Sequence, residues 1–389
     1  MSIIITLCGL LLLAYLFDFT SSKTKIPSVI LLLLLGWAVK QVAVFFGINV
    51  PELSGLLPAL GTIGLILIVL EGSLELEFNK SKTVLVRKSF LIALIPMLLL
   101  GFLFASLFFY FGDFSYKDSL ANTIPLCVIS SAIAIPSAKY LAKIDKEFVV
   151  YESSLSDILG VLFFNFIVLN EIIDVQSFGY FALQILIIVI VSFVATLGLS
   201  FLLSKIDHHI KFAPIIILII LIYEVSKIYH LPALVFILLF GLFLGNLDEL
   251  KNFKWMRNFH PQELNTEVIK FKELTTEATF LVRSVFFILF GYLIETAEVL
   301  NTETLVWAIS IVAAIFSVRA VILLLYKFPV RPLLFIAPRG LITILLFLSI
   351  PASQAISFVN KSLIIQVIIL TALIMMTGLM LTKTKTEKD

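Results

Sequence analysis

Long uninterrupted apolar stretches are the feature of this chain that most restricts its fold. Several run to about 20 residues, the length that an α-helix needs to cross the hydrocarbon core of a bilayer. Hydrophobic residues make up 60% of the 389 residues and charged residues only 14%, well beyond the roughly half-apolar composition of a soluble domain. In lipid, each spanning segment must satisfy its own backbone hydrogen bonds. The sequence therefore predicts an all-α polytopic membrane protein.

Charged and turn residues divide this apolar sequence into about thirteen predicted spans. The predicted spans lie at 2–19, 27–47, 55–76, 89–111, 119–142, 148–171, 177–203, 212–228, 231–247, 278–296, 303–326, 332–351 and 361–382. The long cytoplasmic interval 248–277 mixes charged with aromatic residues, which is typical of a segment that lies at the membrane surface. We expect one transmembrane domain over 1–382, followed by a short cytoplasmic tail at 383–389.

Basic residues occupy alternate connections between the predicted spans. They include Lys23 and Lys25, Lys80 to Lys88, Lys139 to Lys146, Lys205 and Lys211, the interval 248–277, Lys327 and Arg331, and the tail. The intervening connections are acidic or nearly uncharged. By the positive-inside rule, the N-terminus lies outside and the C-terminus is cytoplasmic, which requires an odd number of spans. The net charge of +2 belongs to these loops and forms no basic face for nucleic acid.

The predicted topology contains two repeats, at 1–171 and 212–382, joined by a linker helix at 177–203. Because the linker is a single span, the two repeats enter the membrane in opposite directions, as in inverted-repeat transporters.

Helix breakers interrupt the fifth and the twelfth span, which hold equivalent positions in the two repeats. They are Pro125 and Pro136 on either side of Ser130 and Ser131, and Pro338 and Gly340 on either side of Arg339. Paired interruptions of this kind indicate two unwound crossing helices and an ion site near the midplane of the membrane. Simple proline kinks are the alternative.

Seven charged residues stand out within the predicted spans, because a charge buried in the membrane costs at least ~2.5 to 3.5 kcal/mol. They are Glu71, Glu152, Asp157, Glu224, Arg283, Arg319 and Arg339. Asp157 lies about nine residues into the sixth span, near mid-depth, among apolar residues. A carboxylate there can hold a proton or a metal cation but not both, which is sufficient for exchange; a permanent ion pair is the alternative. Glu71 and Glu224 are expected near the interfaces, and Glu71 is the better candidate for the ion path from outside.

Glu152 lies about one helical turn closer to the cytoplasm than Asp157 and on a different face of the helix. Arg319 and Arg339 lie at a comparable depth. We therefore expect an ion-pair cluster in which Glu152 neutralises an arginine and braces the core. Arg283 fits either this cluster or a position from which its side chain reaches the cytoplasmic interface.

The histidines and cysteines indicate no metal centre. The histidines are His208, His209, His230 and His260, all in or beside loops, where solvated side chains are the expected state and pH sensing is the alternative. The cysteines, Cys8 and Cys127, lie in apolar runs and are expected to behave as small buried hydrophobic residues. We expect no cofactor, and no metal other than a transported cation.

The sixth predicted span carries a recognisable motif. Its segment Glu152-Ser153-Ser154-Leu155-Ser156-Asp157 resembles the Glu-Ser-Leu-Leu-Asn-Asp signature of the sodium/proton exchanger family, in the monovalent cation:proton antiporter superfamily. Arg339-Gly340-Leu341 is similar to the family's Arg-Gly-Ala stretch, and Phe286-Phe287 with Gly291 is similar to its Phe-Phe-x-x-x-Gly pattern. Helix count and polarity agree with the family along the whole chain.

The resemblance implies a role for each motif residue. Asp157 would be the acid that carries the ion and the proton, and Glu152 would form a structural pair with one arginine. Spans five and twelve would be the unwound crossing helices. Ser156 departs from the family, which has Asn or Asp at this position, but it still offers a hydroxyl ligand without charge.

Span five departs from the family a second time. It reads Ala134-Ile135-Pro136 where the family reads Thr-Asp-Pro, so a carboxylate and a hydroxyl are missing. Ser130, Ser131 or Ser137 are the candidates to supply the missing oxygens.

These observations predict a secondary antiporter that exchanges a monovalent cation, Na⁺ first and K⁺ second, for H⁺ by alternating access at Asp157. One carrier acid beside a neutral Ser156 favours one-for-one, electroneutral exchange. We expect a homodimer whose contacts come from the early helices of each half. A bacterial inner membrane is the expected location, since the chain is compact and carries no targeting segment.

Three alternatives stay open. A membrane enzyme that modifies lipids requires several acids at one aqueous end, such as paired Asp-rich motifs that bind Mg²⁺, and the sequence has none. A channel or sensor usually brings a pore-lining ring of charges or a ligand domain. A diverged solute carrier of the same fold is the third alternative.

Overall fold

The computed structural model describes residues 3–24, 26–48, 53, 55–76, 82–138, 141–170, 173–205, 212–247 and 261–382. Within these ranges all regular secondary structure is helical, as the sequence predicts. The helices are α1 Ile3–Thr24, α2 Ser28–Phe45, α3 Leu56–Glu75, α4 Thr83–Gly112, α5 Tyr116–Cys127, α6 Ser131–Ser137, α7 Lys143–Leu169, α8 Val175–Lys205, α9 Phe212–Ile228, α10 Ala233–Gly245, α11 Pro261–Leu293, α12 Thr296–Val299, α13 Thr302–Leu325, α14 Val330–Leu333, α15 Leu341–Leu348 and α16 Lys361–Leu381.

Nine helical segments of the described chain are long and apolar enough to cross a membrane. One of them, Tyr116–Ser137, comprises α5 and α6 together. Two shorter apolar segments, Ile5–Ser21 and Ala233–Gly245, lie in α1 and α10. The chain is therefore a multi-pass, all-α membrane protein, and the count of thirteen spans stays a prediction.

The first compact unit comprises Met1–Gly64, Lys88–Gly160 and Leu281–Asp389. Two glycines let α2 and α11 pack backbone to backbone inside it. A Cβ atom at Gly36 would lie 2.0 Å from the carbonyl oxygen of Ile288, and one at Gly291 would lie 2.3 Å from that of Leu33. Only glycine permits so close an approach. The Phe-Phe-x-x-x-Gly pattern thus ends on a residue that fixes helix packing.

The second compact unit comprises Leu65–Arg87 and Val161–Phe280. In it α10 packs closely against the end of α3, because Gly241 leaves room for the side chain of Ser73. The amide of Asn246 donates to the carbonyl of Leu76 at 2.8 Å and so ties the ends of these two helices together. Aromatic rings, including the pair Phe240 and Phe271, fill the space between α10 and α11.

Helix α11 begins much earlier than predicted. The predicted span starts at residue 278, but the helix is continuous from Pro261 to Leu293, so the second half of the interval 248–277 is helical. The hydroxyls of Thr275 and Thr279 are buried and donate to the carbonyls of Phe271 and Thr275, four residues earlier. These internal bonds let polar residues continue a helix. Residues 248–260 lie outside the described ranges.

Both predicted interruptions are present. Between α5 and α6, residues 128–130 are not helical, and between α14 and α15, residues 334–340 are not helical. Pro125 lacks the N–H that would donate to the carbonyl four residues earlier, and its absence weakens the last turn of α5. Pro338 and Gly340 both lie in the second interruption, as predicted.

Candidate functional site

The two interrupted spans meet at a backbone hydrogen bond in the interior of the first compact unit. The N–H of Ser130, in the first interruption, donates to the carbonyl of Pro338, in the second, at 2.9 Å. Residues 128–130 and 336–340 are buried, and Leu334 and Phe335 are half-buried. We call residues 128–130 and 334–340 together the crossing.

Hydroxyl side chains on neighbouring helices accept hydrogen bonds from two further backbone amides of the crossing. Ser156 Oγ on α7 accepts the N–H of Ile129 at 2.9 Å. Thr371 Oγ1 on α16 accepts the N–H of Arg339 at 3.1 Å. Because an unpaired buried amide is costly, these hydroxyls make the non-helical backbone possible inside the protein.

Gly340 is required by the closeness of the two chains at the crossing. A Cβ atom at this position would lie 2.6 Å from Cδ1 of Ile133 and 2.9 Å from Oγ of Ser130. Any larger residue would require the side chains of Ile133 and Ser130 to move. The Gly of the Arg-Gly-Leu stretch therefore serves packing.

Asp157 lies on α7 directly beside the crossing, with only 2% of its surface exposed. Its Oδ2 accepts a hydrogen bond from the hydroxyl of Ser131 and a second one from the N–H of Ser131 at 3.3 Å. Its Oδ1 is buried and has no hydrogen-bond partner in the described structure. The carboxylate is thus held by one oxygen and leaves the other free for a ligand.

Other oxygens near this carboxylate are also free. The hydroxyls of Ser130 and Ser154 are buried and have no hydrogen-bond partner among the described residues. Ser130 precedes Ser131, the residue that holds Asp157, and Ser154 lies on α7 with it. Buried polar atoms of a native protein are normally paired with protein, water or an ion. These oxygens are therefore candidate ligands for a small cation.

Glu152 forms a buried ion pair with Arg319. The guanidinium donates to both carboxylate oxygens, at 2.5 and 2.8 Å, while its Nε donates to the carbonyl of Leu333 at 2.9 Å. Both side chains are almost fully buried. Both oxygens of Glu152 are used, and the geometry is bidentate, the strongest arrangement for such a pair. Glu152 thus has no carboxylate oxygen left for a transported ion.

Arg339 lies close to the Glu152–Arg319 pair, since it lines one small cavity together with Arg319, but its hydrogen bonds go to other partners. Its guanidinium donates to three carbonyls, those of Leu126 and Ala337 at 2.8 Å and that of Cys127 at 3.2 Å. Leu126 and Cys127 are the last residues of α5, whose final carbonyls have no helical partner. Arg339 therefore closes the end of α5 at the crossing and makes no hydrogen bond to Glu152.

Arg283 pairs with an acid other than Glu152. Its Nη2 is 3.8 Å from Oδ1 of Asp18, on α1, and its side chain is mostly buried. This distance makes a loose ion pair between α11 and α1. The predicted candidates Glu71 and Glu224 belong to the second compact unit, on α3 and α9.

Four residues of span five lie in helix α6 and outside the crossing, among them Pro136, which was predicted to mark the interruption. Pro136 is inside helix α6, six residues after the interruption ends. Ala134 and Ile135 precede it in the same helix. The hydroxyl of Ser137 donates to the carbonyl of Ile133 in its own helix at 2.7 Å. The oxygens at the crossing come instead from the pair Ser130 and Ser131.

Of the histidines, only His230 lies in the described ranges, since His208, His209 and His260 lie outside them. It is exposed, at the turn between α9 and α10, in a left-handed backbone conformation with φ of 55°. Together with amide and aromatic side chains of α7 and α8 it borders a cavity of ≈ 170 Å³ in the second compact unit.

Thr371 and the carbonyls that bind Arg339 were not among the predicted site residues. Thr371 stands among apolar residues of α16, and its own hydroxyl bonds back to its helix, as isolated threonines in spans commonly do. No sequence signal distinguishes it from them. A carbonyl has no sequence signature at all.

Comparison with known proteins identifies the family. The sequence profile of the family "Sodium/hydrogen exchanger, transmembrane" matches residues 8–383. The structure is similar to that of the sodium proton antiporter MjNhaP1 from Methanocaldococcus jannaschii at pH 8, with a TM-score of 0.68 and 20% identity over 97% of this chain and 95% of that one.

An electron-microscopy structure of the same antiporter matches with a TM-score of 0.65 and 19% identity, over 98% of this chain and 95% of that chain. No curated protein matches the sequence. These similarities confirm the antiporter fold. The profile covers nearly the whole sequence, and the chain therefore belongs to the sodium/hydrogen exchanger family of membrane transporters.

Proposed function

We propose that this protein exchanges Na⁺ for H⁺ across the membrane, with Asp157 as the carrier of both ions. The observation that carries the proposal is the geometry of this carboxylate. It is buried beside the crossing, one of its oxygens is held by Ser131, and the other has no partner in the described structure. A bare charge in such a place is costly, so the carboxylate binds a proton or a cation.

Competition at one carboxylate couples the two ions. When a cation arrives at Oδ1, the proton must leave, and the buried, unpartnered hydroxyl of Ser130, next to Ser131, is a candidate for a further ligand. When a proton arrives, the carboxyl group becomes neutral and releases the cation. Alternating access then requires only that the loaded site opens to one side of the membrane at a time.

The number of titratable groups supports electroneutral exchange. Among the described residues no second free acid accompanies Asp157, since the preceding residue, Ser156, is neutral and accepts a backbone N–H. Glu152 is neutralised by Arg319. One carboxylate exchanges one proton for one monovalent cation, so no net charge crosses the membrane. We propose Na⁺ as the first candidate cation and K⁺ as the second, because the similar solved structures are those of a sodium proton antiporter.

The arrangement in the membrane belongs to the same proposal. Basic residues in alternate connections support an outside N-terminus and a cytoplasmic C-terminus. We infer a single transmembrane domain over 1–382 with repeats at 1–171 and 212–382, and a homodimer in a bacterial inner membrane. The family resemblance supports the dimer and the repeats.

Reconstitution tests the proposal. Liposomes that contain the protein and a trapped pH dye receive Na⁺, K⁺ or Li⁺ in turn. Wild type is expected to release protons on Na⁺ addition, more weakly on K⁺, and Asp157→Asn is expected to abolish release. Asp174→Asn is the matched control, because Asp174 is an exposed acid near the start of α8 and its replacement should leave exchange intact.

Electroneutrality is measured in the same liposomes. A membrane potential imposed without a gradient of Na⁺ or K⁺ should leave the initial exchange rate unchanged. A rate that follows the potential contradicts one-for-one exchange. Absence of flux with every cation, in a protein that remains folded and monodisperse, contradicts the proposed activity as a whole.

A further inference from the structure

The four-residue helix α12 connects two helix pairs of the first compact unit. The first pair is α2 with α11, which pack backbone to backbone at Gly36 and Gly291. The second pair is α13 with α16, which pack along each other. Leu293 ends α11 and Thr302 begins α13, so residues 294–301, with α12 at their centre, are the whole covalent connection between the pairs at this end.

Only the second pair holds residues of the candidate site. Arg319, which binds Glu152, is on α13, and Thr371, which accepts an amide of the crossing, is on α16. Alternating access at Asp157 requires the helices around the site to move relative to other helices. A connection between α11 and α13 must therefore follow or resist that movement.

Side chains of α2 hold α12 on one side. Lys40 Nζ is 2.5 Å from Oε1 of Glu295 and 3.3 Å from the carbonyl of Ile294. Trp37 Nε1 donates to Oγ1 of Thr296 at 3.1 Å. These bonds attach α12 to the first helix pair.

Lys361, at the start of α16, holds α12 on the other side. Its Nζ is 3.0 Å from Oε1 of Glu298 and donates to the carbonyl of Leu293 at 3.1 Å. Oε2 of the same glutamate accepts the N–H of Glu295 at the start of α12. Glu298 thus joins α12 to α16.

Gln366, one turn further along α16, adds three contacts. Its Nε2 faces the carbonyls of Asn301 at 2.8 Å, Val299 at 3.2 Å and Glu298 at 3.4 Å. Three carbonyl acceptors fix which end of the amide is the nitrogen. Its Oε1 is buried and without a hydrogen-bond partner in the described structure. The contact is therefore only half satisfied, which is costly inside a protein.

We propose that α12 is a conformational strap: its bonds to Lys361 and Gln366 hold the site-bearing pair α13–α16 against α2–α11 in one state and break when the transporter changes state. The α2 side stays attached during this change. The half-satisfied amide of Gln366 is consistent with a contact that is made in only one of two states. The inference rests on the proposed function, because it requires the site to alternate.

Opening of the strap is measured with a reporter cysteine. Leu345→Cys on α15 replaces a buried side chain that packs on Gly61. The background is Cys8→Ser/Cys127→Ala, which leaves the reporter as the one cysteine of the chain, and the protein is in nanodiscs. Lys361→Met and Gln366→Leu should each raise the rate of labelling by a polar maleimide by about two- to tenfold, the change expected when one such contact of an opening equilibrium is lost. Lys361→Arg keeps the charge and should restore the wild-type rate. Lys227→Met, an exposed lysine of the second unit, is the matched control.

Locking the strap is the complementary measurement. Glu298→Cys with Lys361→Cys, joined by a short reducible bifunctional thiol reagent, should stop exchange in liposomes, and reduction should restore it. Unchanged exchange after full cross-linking, or unchanged labelling in both loosened variants, overturns the inference. Labelling does not depend on ion flux. If labelling responds while wild type exchanges no cation, the strap stands and the proposed function fails.

Discussion

The N–H of Ser130 and the carbonyl of Pro338 are 2.9 Å apart, and this bond joins the two interrupted helices beside Asp157. Both groups belong to the backbone, so side-chain chemistry at these two positions does not make the bond. It depends instead on the hydroxyls that accept the neighbouring amides, on the guanidinium that closes α5, and on the space left by Gly340.

Ser156→Ala should destabilise the protein. It leaves the buried N–H of Ile129 without its acceptor, which costs ~1–3 kcal/mol. Thermal unfolding in detergent should show a lower Tm. Ser153→Ala is the control on the same helix, because the Ser153 hydroxyl only bonds back to the carbonyl of Val149. Equal effects of the two substitutions would contradict a special role for Ser156.

Removing one partner of the Glu152–Arg319 pair should be more damaging than removing both. Glu152→Leu or Arg319→Met leaves the buried charge of the other partner unpaired, which costs ~3–5 kcal/mol. The double variant Glu152→Leu/Arg319→Met leaves no charge and should recover part of that loss. A double-mutant cycle on unfolding gives the coupling. Effects that simply add would show that the pair does not act as a unit.

The fold and the general site were predictable because their causes are local in sequence. Apolar runs of spanning length and basic residues in alternate loops define the helices, and prolines and glycines mark both interruptions. The depth of Asp157 follows from its position along one helix. These signals do not depend on which helices pack together.

The partners within the site were not predictable, because packing decides them. Arg319 and Arg339 are the same residue type at similar predicted depth, yet one binds Glu152 and the other binds carbonyls. Pro136 sits inside a helix although proline commonly ends one, because the interruption lies where tertiary acceptors for free amides exist. The sequence does not reveal where such acceptors will be.

Gly61→Ala should destabilise the contact between α3 and α15. A Cβ atom at Gly61 would lie 2.3 Å from Cδ2 of Leu345, and overpacking of this kind typically costs ~1–3 kcal/mol. The second substitution Leu345→Ala should relieve the clash and recover part of the Tm. Gly198→Ala, where a Cβ atom would meet nothing within 4 Å, should be neutral. A neutral Gly61→Ala would contradict the close packing.

The Lys40–Glu295 pair should stabilise the protein in a pH-dependent way. The hydrogen bond from Lys40 lowers the pKa of Glu295 below its ordinary value. A lowered folded-state pKa adds stability above the unfolded pKa, and this stability is lost as pH falls through the folded pKa. The Tm difference between wild type and Lys40→Met should therefore be present at neutral pH and shrink under acid conditions.

Glu295→Gln provides the control for this prediction. It has no charge to titrate, so Lys40→Met in the Glu295→Gln background should give a Tm difference that does not change in the same acid range. A difference that persists unchanged in the wild-type background at acid pH would contradict the pairing.

The claim that Asp157 binds a proton or a cation in competition is tested most directly by counting protons released on cation binding. Calorimetric titration of the purified protein with Na⁺, in two buffers of different ionisation enthalpy, gives this number. We expect about one proton to be released per Na⁺ bound. In Asp157→Asn we expect neither Na⁺ binding nor proton release. Na⁺ binding without proton release, or proton release that persists in Asp157→Asn, would contradict it.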